Sequence, residues 1–391
     1  MLIALHFYLR FQMKMGLFTK REINALKEHE YISEGSSICE PVMQKLWNLL
    51  FRMVPATLAP NCLTLAGLLT NISTTMIMIY YNPDGNKEVP GWVNVTSAFG
   101  VIMYQVLDAL DGKQSRRTRD GPVEELFDHG FDSISTVCVI LGCCYCLKLG
   151  QSPMVILFQM CLSELCCYTA IWQKFVTGVM RFGRIDVTEG QLVVAFIHIL
   201  YAISPSIFDK DIPGLNLPLR YACVIGSMVS TILFIIQQLS IILKGRSSKR
   251  TSTAQTPVTL FPAIPIGLAI GLQVIVAMTT SVFQDLHCLY LITFGLIESK
   301  ITVRLIVAHV TKGRMPLFDR ILLGPILLLL ISQLNGSILL DRILLLCVCV
   351  YSLQNWIFYF WTVAIEICEH LNIYCFNVTS RPHPYRRMPP G

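Results

Sequence analysis

The chain is a succession of apolar runs too long and too closely spaced for a water-soluble fold. Ten can be read in order: Leu63 to Tyr81, Trp92 to Asp108, Phe127 to Leu147, Met154 to Trp172, Leu192 to Ile207, Tyr221 to Leu243, Thr259 to Met278, Leu289 to Val310, Ile321 to Leu334 and Ile338 to Ala364. About 20 apolar residues in a helix cross the hydrocarbon of a bilayer, and inside lipid a helix satisfies its own backbone polar groups. The expected fold is therefore all-α: a polytopic membrane bundle of about ten transmembrane helices. Composition agrees, since 53% of the 391 residues are hydrophobic, 14% are charged and the mean hydropathy is +0.57. Length alone would suggest two domains, but a single bundle accounts better for so even a distribution of spans.

This divides the chain into a cytosolic N-terminal segment (1–40), a membrane domain (41–372) and a cytosolic C-terminal tail (373–391). The stretch from Met1 to Phe11 is broken by His6 and Arg10 and lacks a small-residue cleavage site, so no signal peptide is expected. From Pro41 to Val54, residues Val42, Leu46, Leu49, Leu50 and Met53 fall near one side, with Lys45 and Arg52 placed to snorkel. That pattern predicts an amphipathic helix lying along the membrane surface.

The formal net charge is +6, but the basic residues cluster beside apolar spans without interleaved stacking aromatics. They point to a membrane surface and phosphate-bearing substrates, and no nucleic-acid partner is expected. Arg116, Arg117 and Arg119, then Lys174, Arg181 and Arg184, then Lys244, Arg246, Lys249 and Arg250, then Lys312 and Arg314 lie in alternate loops, whereas 82–91 and 208–218 carry fewer bases. The positive-inside rule makes the first set cytosolic, together with both termini. The run from Lys244 to Thr256 is basic and Ser/Thr-rich and reads as a cytosolic loop. Many of the fifteen cysteines, such as Cys143, Cys144, Cys146, Cys166 and Cys167, fall inside apolar runs, so they read as small buried hydrophobes and no disulfide framework is expected. Four Asn-x-Ser/Thr tripeptides, at Asn71, Asn94, Asn335 and Asn377, lie in spans, at bilayer edges or on the cytosolic side, where no glycosylation is expected.

One stretch carries chemistry. DALDGKQSRRTRDGPVEELFDHGFD, from Asp108 to Asp132, holds Asp108, Asp111, Asp128 and Asp132 at spacings of three and four. Each pair shares one face of a helix, and the two pairs end one span and begin the next on the same side of the membrane. Four carboxylates gathered at a membrane boundary repel one another and lose hydration, which calls for a cation; solvated helix-end charges are the bland alternative.

This pattern, Asp-x-x-Asp-Gly-x-x-small-Arg followed by Asp-x-x-x-Asp, resembles the signature of the CDP-alcohol phosphotransferases, and the strings DGKQSRRT and ELFDHGFDS resemble its eukaryotic choline/ethanolamine phosphotransferase branch. The likeness runs from about His29 to about Ile373. It implies transfer of phosphocholine, phosphoethanolamine or both from CDP-choline or CDP-ethanolamine to diacylglycerol, with release of CMP. It also implies an endoplasmic reticulum or Golgi membrane, a homodimer, and Mg2+ or Mn2+ held by Asp108, Asp111, Asp128 and Asp132.

Carboxylate-bound magnesium that completes its shell with substrate phosphate suits a diphosphate substrate. His129, between the second pair of acids, can act as general base toward the lipid hydroxyl, with Asp132 competing for that role; a purely orienting histidine is the alternative. By resemblance, Gly112 and Arg116 bind the CDP part, the glycine allowing close approach and the guanidinium pairing with phosphate. Asn61 is a further nucleotide contact or simply a helix N-cap. Lys113, Arg117 and Arg119 read as a solvated basic face. Tyr168, Trp172 and Glu189 are candidates for the alcohol pocket, because a quaternary ammonium suits aromatic faces and an acid, although interfacial belt residues look the same. Glu164, Glu298, Lys300 and Arg304 interrupt apolar runs and are expected to face inward.

Three positions depart from the family pattern. Ser115 stands for the usual alanine, Glu124 stands where the family has a glycine four residues before the third aspartate, and the preceding loop is one residue short. Gly121 can supply flexibility nearby. Glu124 adds bulk and negative charge to a nucleotide pocket. An enzyme for another polar alcohol such as inositol, or a non-enzymatic transporter or scaffold, are the competing readings.

Overall fold

The computed structural model describes residues 16–118, 121–244, 259–335 and 337–379. The expectations for Met1 to Phe11, for Arg119 and for the loop beyond Lys244 lie outside the described residues.

Among these residues the chain forms thirteen α-helices and one short strand pair. In order they are α1 (Lys20–Lys27), β1 (Ser33–Glu34), α2 (Glu40–Phe51), α3 (Pro60–Tyr81), α4 (Gly91–Thr118), α5 (Pro122–Cys146), α6 (Pro153–Thr177), β2 (Met180–Arg181), α7 (Val187–Ile203), α8 (Leu219–Lys244), α9 (Ala263–Thr279), α10 (Val282–Asp285), α11 (His287–Val310), α12 (Leu323–Asn335) and α13 (Ile338–Leu371). β1 and β2 pair in parallel, with Ser33 opposite Met180 and Glu34 opposite Arg181.

All ten apolar runs are helical. α3, α4, α5, α6, α8 and α13 are long and apolar enough to cross a membrane, and α7, α9 and α12 are shorter apolar helices. The 22 residues of α3 rise through about 33 Å, enough for the hydrocarbon core. α11 has the length of a span at 24 residues, but it carries Glu298, Lys300 and Arg304. Glu298 and Lys300 are buried, so those charges face protein and not lipid.

The local causes are readable. Pro60, Pro122 and Pro153 each open a helix at the position where a missing N–H costs nothing. Asp186 and Glu189 form a reciprocal capping box that starts α7. α3 and α4 approach closely because Gly100 sits on Thr74 and Gly67 on Tyr104, the small-residue packing that drives helix association where lipid offers no hydrophobic gain. Interhelical polar bonds add to this: Asn71 Nδ2 donates to Ser135 Oγ at 2.5 Å, and Trp356 Nε1 donates to Ser299 Oγ at 2.9 Å. Asn71 and Asn94 are thus buried against neighbouring helices.

Helix α2 has the expected amphipathic form, with Val42, Leu46, Leu49 and Met53 exposed. Leu50 instead turns inward and packs with Trp47 and Leu63. The supposedly solvated Lys113 and Arg117 are what pin this helix. Lys113 Nζ donates to Gln44 Oε1 at 2.6 Å and Asn48 Oδ1 at 2.8 Å, while Arg117 donates to the Val54 carbonyl at 2.8 Å and covers the Phe51 ring.

α4 also continues well beyond Asp108, through Gln114, Arg116 and Arg117, which favour helix. The acid motif is therefore carried by two helices, and the aspartates lie within them, not at their ends.

Residues 16–38 seat on the same end of the bundle. The Leu17 and Phe18 amides donate to Glu366 Oε1 at 2.7 and 3.1 Å, and the Ile38 amide donates to the Arg184 carbonyl at 3.0 Å.

A Cβ at Gly100 would lie 2.0 Å from Thr74 Oγ1 and 2.8 Å from Thr74 Cβ. Gly100→Ala is expected to destabilise the detergent-solubilised protein by about 1–3 kcal/mol, read as a lowered thermal midpoint. Gly226→Ala, with nothing within 4 Å, is expected to leave the midpoint unchanged.

Candidate active site

α4 and α5 present the four aspartates to one another. Asp108 and Asp111 are one helical turn apart on α4, and Asp128 and Asp132 one turn apart on α5. The face of α5 behind them is fixed by an aromatic stack: the Phe131 and Phe360 rings lie 5.0 Å apart and the Trp356 and Phe360 rings 4.9 Å apart. On α11, Gly295 lets Val137 of α5 come close.

Asp108, Asp111 and Asp128 each offer an oxygen within 4.8 Å of the other two, and Asp128, His129 and Asp132 form a second such group. Asp128 belongs to both, so all four acids share one site. Asp108 Oδ1 and Asp111 Oδ2 are buried with no hydrogen-bond partner among the described residues. Asp132 accepts a hydrogen bond from the Tyr104 hydroxyl. Oxygen-only donors with unsatisfied lone pairs are the ligand set that magnesium or manganese takes, so these residues fit a divalent cation.

Behind the acids lies a charge-compensated layer. His129 Nδ1 is 3.7 Å from Asp128 Oδ1 and 3.9 Å from Asp132 Oδ2, and its Nε2 is 3.4 Å from Lys174 Nζ. Lys174 pairs with Glu125 Oε1 at 2.7 Å, His29 Nε2 lies 2.7 Å from Glu125 Oε2, and His309 Nε2 lies 3.8 Å from Glu125 Oε1. The Tyr31 ring covers the Lys174 ammonium at 3.8 Å. Burial, reinforced by Asp128 and Glu125, pushes the Tyr31 phenol well above its ordinary value, so it stays a neutral donor at physiological pH. Lys174, which the loop-charge pattern counts as a surface base, is 1% exposed.

In front of the acids a cleft opens, lined by Tyr31, Pro60, Asn61, Thr64, Asp111, Gly112, Ser115, Arg116, Glu124, Glu125 and Asp128. It brings together Asn61, Gly112 and Arg116. A Cβ at Gly112 would meet only the Arg116 guanidinium, at 3.7 and 3.8 Å, so what the glycine keeps open is the cleft itself. Asn61 is not an N-cap, because Ala59 holds that position. It lies inside the first turn of α3 and donates to the Cys375 carbonyl at 2.8 Å, while its buried Oδ1 has no partner among the described residues. Glu124 is buried and lines the cleft one turn before Asp128. Gly121 serves it by size and not by flexibility: its backbone is extended, and a Cβ there would lie 3.2 Å from Glu124 Oε2.

Tyr168, Trp172 and Glu189 do not line this cleft. Tyr168 donates to the Pro262 carbonyl at 2.6 Å, Trp172 donates to the Thr259 carbonyl at 2.8 Å, and Glu189 accepts from the Cys39 amide at 2.7 Å. Glu164 and Glu298 are fully buried, with no hydrogen-bond partner for either carboxylate among the described residues.

The sequence reading misses Tyr104, Glu125, Lys174, His309, His29 and Tyr31. Tyr104 and Glu125 carried a signal, lying four residues before Asp108 and three before Asp128 on the same helix faces. The other four reach the site only through tertiary packing.

No family model matches the chain. Among characterised proteins it is 36% identical to cholinephosphotransferase 1 of Danio rerio over 369 residues, covering 93% of this chain and 96% of that one. It is 36% identical to cholinephosphotransferase 1 of Homo sapiens over 367 residues, covering 93% and 90%. It is 26% identical to an uncharacterized CDP-alcohol phosphatidyltransferase class-I family protein of Dictyostelium discoideum over 374 residues, covering 94% and 88%. The likeness spans the helices that carry the acid cluster as well as the rest of the bundle, and it excludes the non-enzymatic reading: the chain belongs to the CDP-alcohol phosphatidyltransferase class-I family, as an integral-membrane, cholinephosphotransferase-like CDP-alcohol phosphotransferase.

Proposed function

We propose that the chain transfers phosphocholine, phosphoethanolamine or both from the CDP-alcohol to diacylglycerol, forming the corresponding phospholipid and CMP. The observation that carries this reading is the group of aspartates Asp108, Asp111 and Asp128 with oxygens within 4.8 Å of one another, Asp108 and Asp111 each with a buried oxygen that has no hydrogen-bond partner among the described residues, beside a cleft that also holds Gly112 and Arg116.

In this reading the diacylglycerol hydroxyl oxygen forms a bond to the β-phosphorus of the CDP-alcohol. The bond from that phosphorus to the bridging oxygen breaks, and CMP leaves with the electron pair. Mg2+ or Mn2+ bound by Asp108, Asp111, Asp128 and Asp132 supplies positive charge to the diphosphate. Arg116, exposed at the rim of the cleft, presents its donor fork to phosphate. Gly112 lets the nucleotide approach the α4 backbone, and Asn61 Oδ1 offers it an acceptor. The hydroxyl proton passes to His129 and Asp132, which act as one unit because they lie within 3.9 Å of each other. Lys174 turns the His129 ring so that Nδ1 faces the carboxylates.

Ten spans with both termini and the cleft in the cytosol, in an endoplasmic reticulum or Golgi membrane, give the nucleotide access from water and the acceptor access from the bilayer. Residues 41–372 then form the membrane domain, flanked by segments 1–40 and 373–391, and we expect a homodimer. With Tyr168, Trp172 and Glu189 committed elsewhere, the headgroup choice rests on residues of the cleft itself. An enzyme for another alcohol such as inositol is the second reading.

Purified protein with diacylglycerol and magnesium is expected to form labelled phospholipid from CDP-choline or CDP-ethanolamine, with the ratio ranking the headgroups. Product from CDP-inositol or another CDP-alcohol alone would overturn the reading. Asp128→Asn is expected to abolish transfer while the protein stays monodisperse in detergent; turnover at the wild-type rate would remove Asp128 from the metal set. His129→Ala is expected to lower kcat by about 10²–10⁴-fold with little change in CDP-alcohol binding. Equal losses in turnover and binding would mark a structural histidine.

A further inference from the structure

On the same side of the bundle as the acid cluster, the second half of α11 and the turn before α12 gather two cations around one carboxylate, with a third next to it in the chain. Lys300 Nζ donates to Asp319 Oδ1 at 2.8 Å, and Arg304 donates through Nη1 to Asp319 Oδ2. Asp319 Oδ1 also accepts from the Ile321 amide at 2.7 Å. Burial raises the Asp319 carboxyl, but Lys300 and Arg304 outweigh burial and hold it below the ordinary carboxylate range, so it is ionised. Lys300 and Arg304 both lie over the Tyr359 ring, at 5.3 and 5.2 Å.

The third cation, Arg320, is the residue after Asp319. It is exposed, it acts electrostatically on Lys300, and it forms no ion pair among the described residues. The Arg304 Nε is buried with no hydrogen-bond partner among the described residues. Lys300 and Arg304 thus outnumber the one carboxylate they face, Arg320 adds a further positive charge, and unused donors point to a missing anion.

The surroundings say what carries that anion. Leu317 and Phe318, just before the turn, are 44% and 50% exposed. From the turn, α12 runs away with Leu323, Leu327, Leu330 and Leu334 exposed on one face, an apolar stripe about 16 Å long at 1.5 Å per residue. A cationic foot beneath an apolar stripe at the end of a membrane helix matches an anionic headgroup with an attached acyl chain. A zwitterionic headgroup brings its own cation and gains less from this excess charge.

We infer that Arg304 and Arg320 hold the phosphate of an anionic membrane phospholipid, with Lys300 behind them on Asp319 and Asn355 and one acyl chain lying along the leucine stripe of α12. None of these residues lines the cleft or belongs to the aspartate cluster. The inference goes beyond the proposed transfer reaction and stands or falls apart from it.

The test is retention of added lipid by the full-length protein in detergent, followed by native mass spectrometry, with phosphatidic acid, phosphatidylserine, phosphatidylcholine and water-soluble glycerol 3-phosphate as separate probes. The wild-type protein is expected to retain the two anionic lipids in preference to phosphatidylcholine. Arg304→Gln and Arg320→Glu are each expected to weaken that retention about tenfold, the loss of one charge-assisted contact, while leaving phosphatidylcholine retention unchanged. Arg320 is exposed, so Arg320→Glu keeps the test open if Arg304→Gln fails to fold. Equal retention by wild type and Arg320→Glu, or no preference for anionic lipid, overturns the site. Glycerol 3-phosphate binding as tightly as phosphatidic acid shows a soluble-phosphate site and overturns the lipid assignment.

Discussion

Like charges held together between two helices of a membrane protein are the constraint on which the rest of this molecule depends. A buried carboxylate oxygen without a partner is costly, and four carboxylates gathered on α4 and α5, two of them with such an oxygen among the described residues, would separate if the helices could relax. The packing forbids it. Gly100 against Thr74 holds α4 on α3, while Gly295 against Val137 and the stack of Phe131, Phe360 and Trp356 hold α5 on α11 and α13. Interhelical bonds such as Asn71 to Ser135 fix α3 against α5. The strain stored in the acid cluster is supported by contacts well away from it.

A contrast at one level of the bundle gives that strain a meaning. Glu125, one turn from the cluster, pairs with Lys174, with His29 and His309 beside it. Asp319 has Lys300 and Arg304. The chain thus supplies cations to these two acids, though, among the described residues, not to the buried Glu164 and Glu298. At Asp108 and Asp111, among the described residues, it supplies none, and their buried oxygens stay unpaired. The compensated layer behind and the uncompensated layer in front divide the work: one holds His129, Tyr31 and the N-terminal segment in place, and the other leaves lone pairs facing the cleft.

Much of this was legible in the sequence because it rests on periodicity. Ten apolar runs gave ten helices, the Asp-x-x-Asp and Asp-x-x-x-Asp spacings gave shared faces, and the pattern from Pro41 to Val54 gave the surface helix α2. What was not legible depends on long-range approach. Lys113 and Arg117 looked solvated because nothing local shows that α2 folds back onto α4. Lys174 looked like a loop charge because its partner Glu125 is 49 positions earlier in the chain. Asn61 looked like a nucleotide contact or a cap, and nothing local shows that the Cys375 carbonyl, 314 positions away, reaches it. Tyr168, Trp172 and Glu189 had the right chemistry for an ammonium cage, but each is tied to a different backbone group.

The central claim is that the four aspartates are a divalent-cation site, and direct binding of Mn2+ tests it without any assumption about substrate. Electron paramagnetic resonance of the detergent-purified protein titrated with Mn2+ is expected to show saturable binding, with line broadening from two neighbouring ions, lost in the double variant Asp108→Asn/Asp111→Asn. Absence of saturable binding, or unchanged binding in that variant, would contradict the claim and leave the acid cluster without the partner its geometry requires.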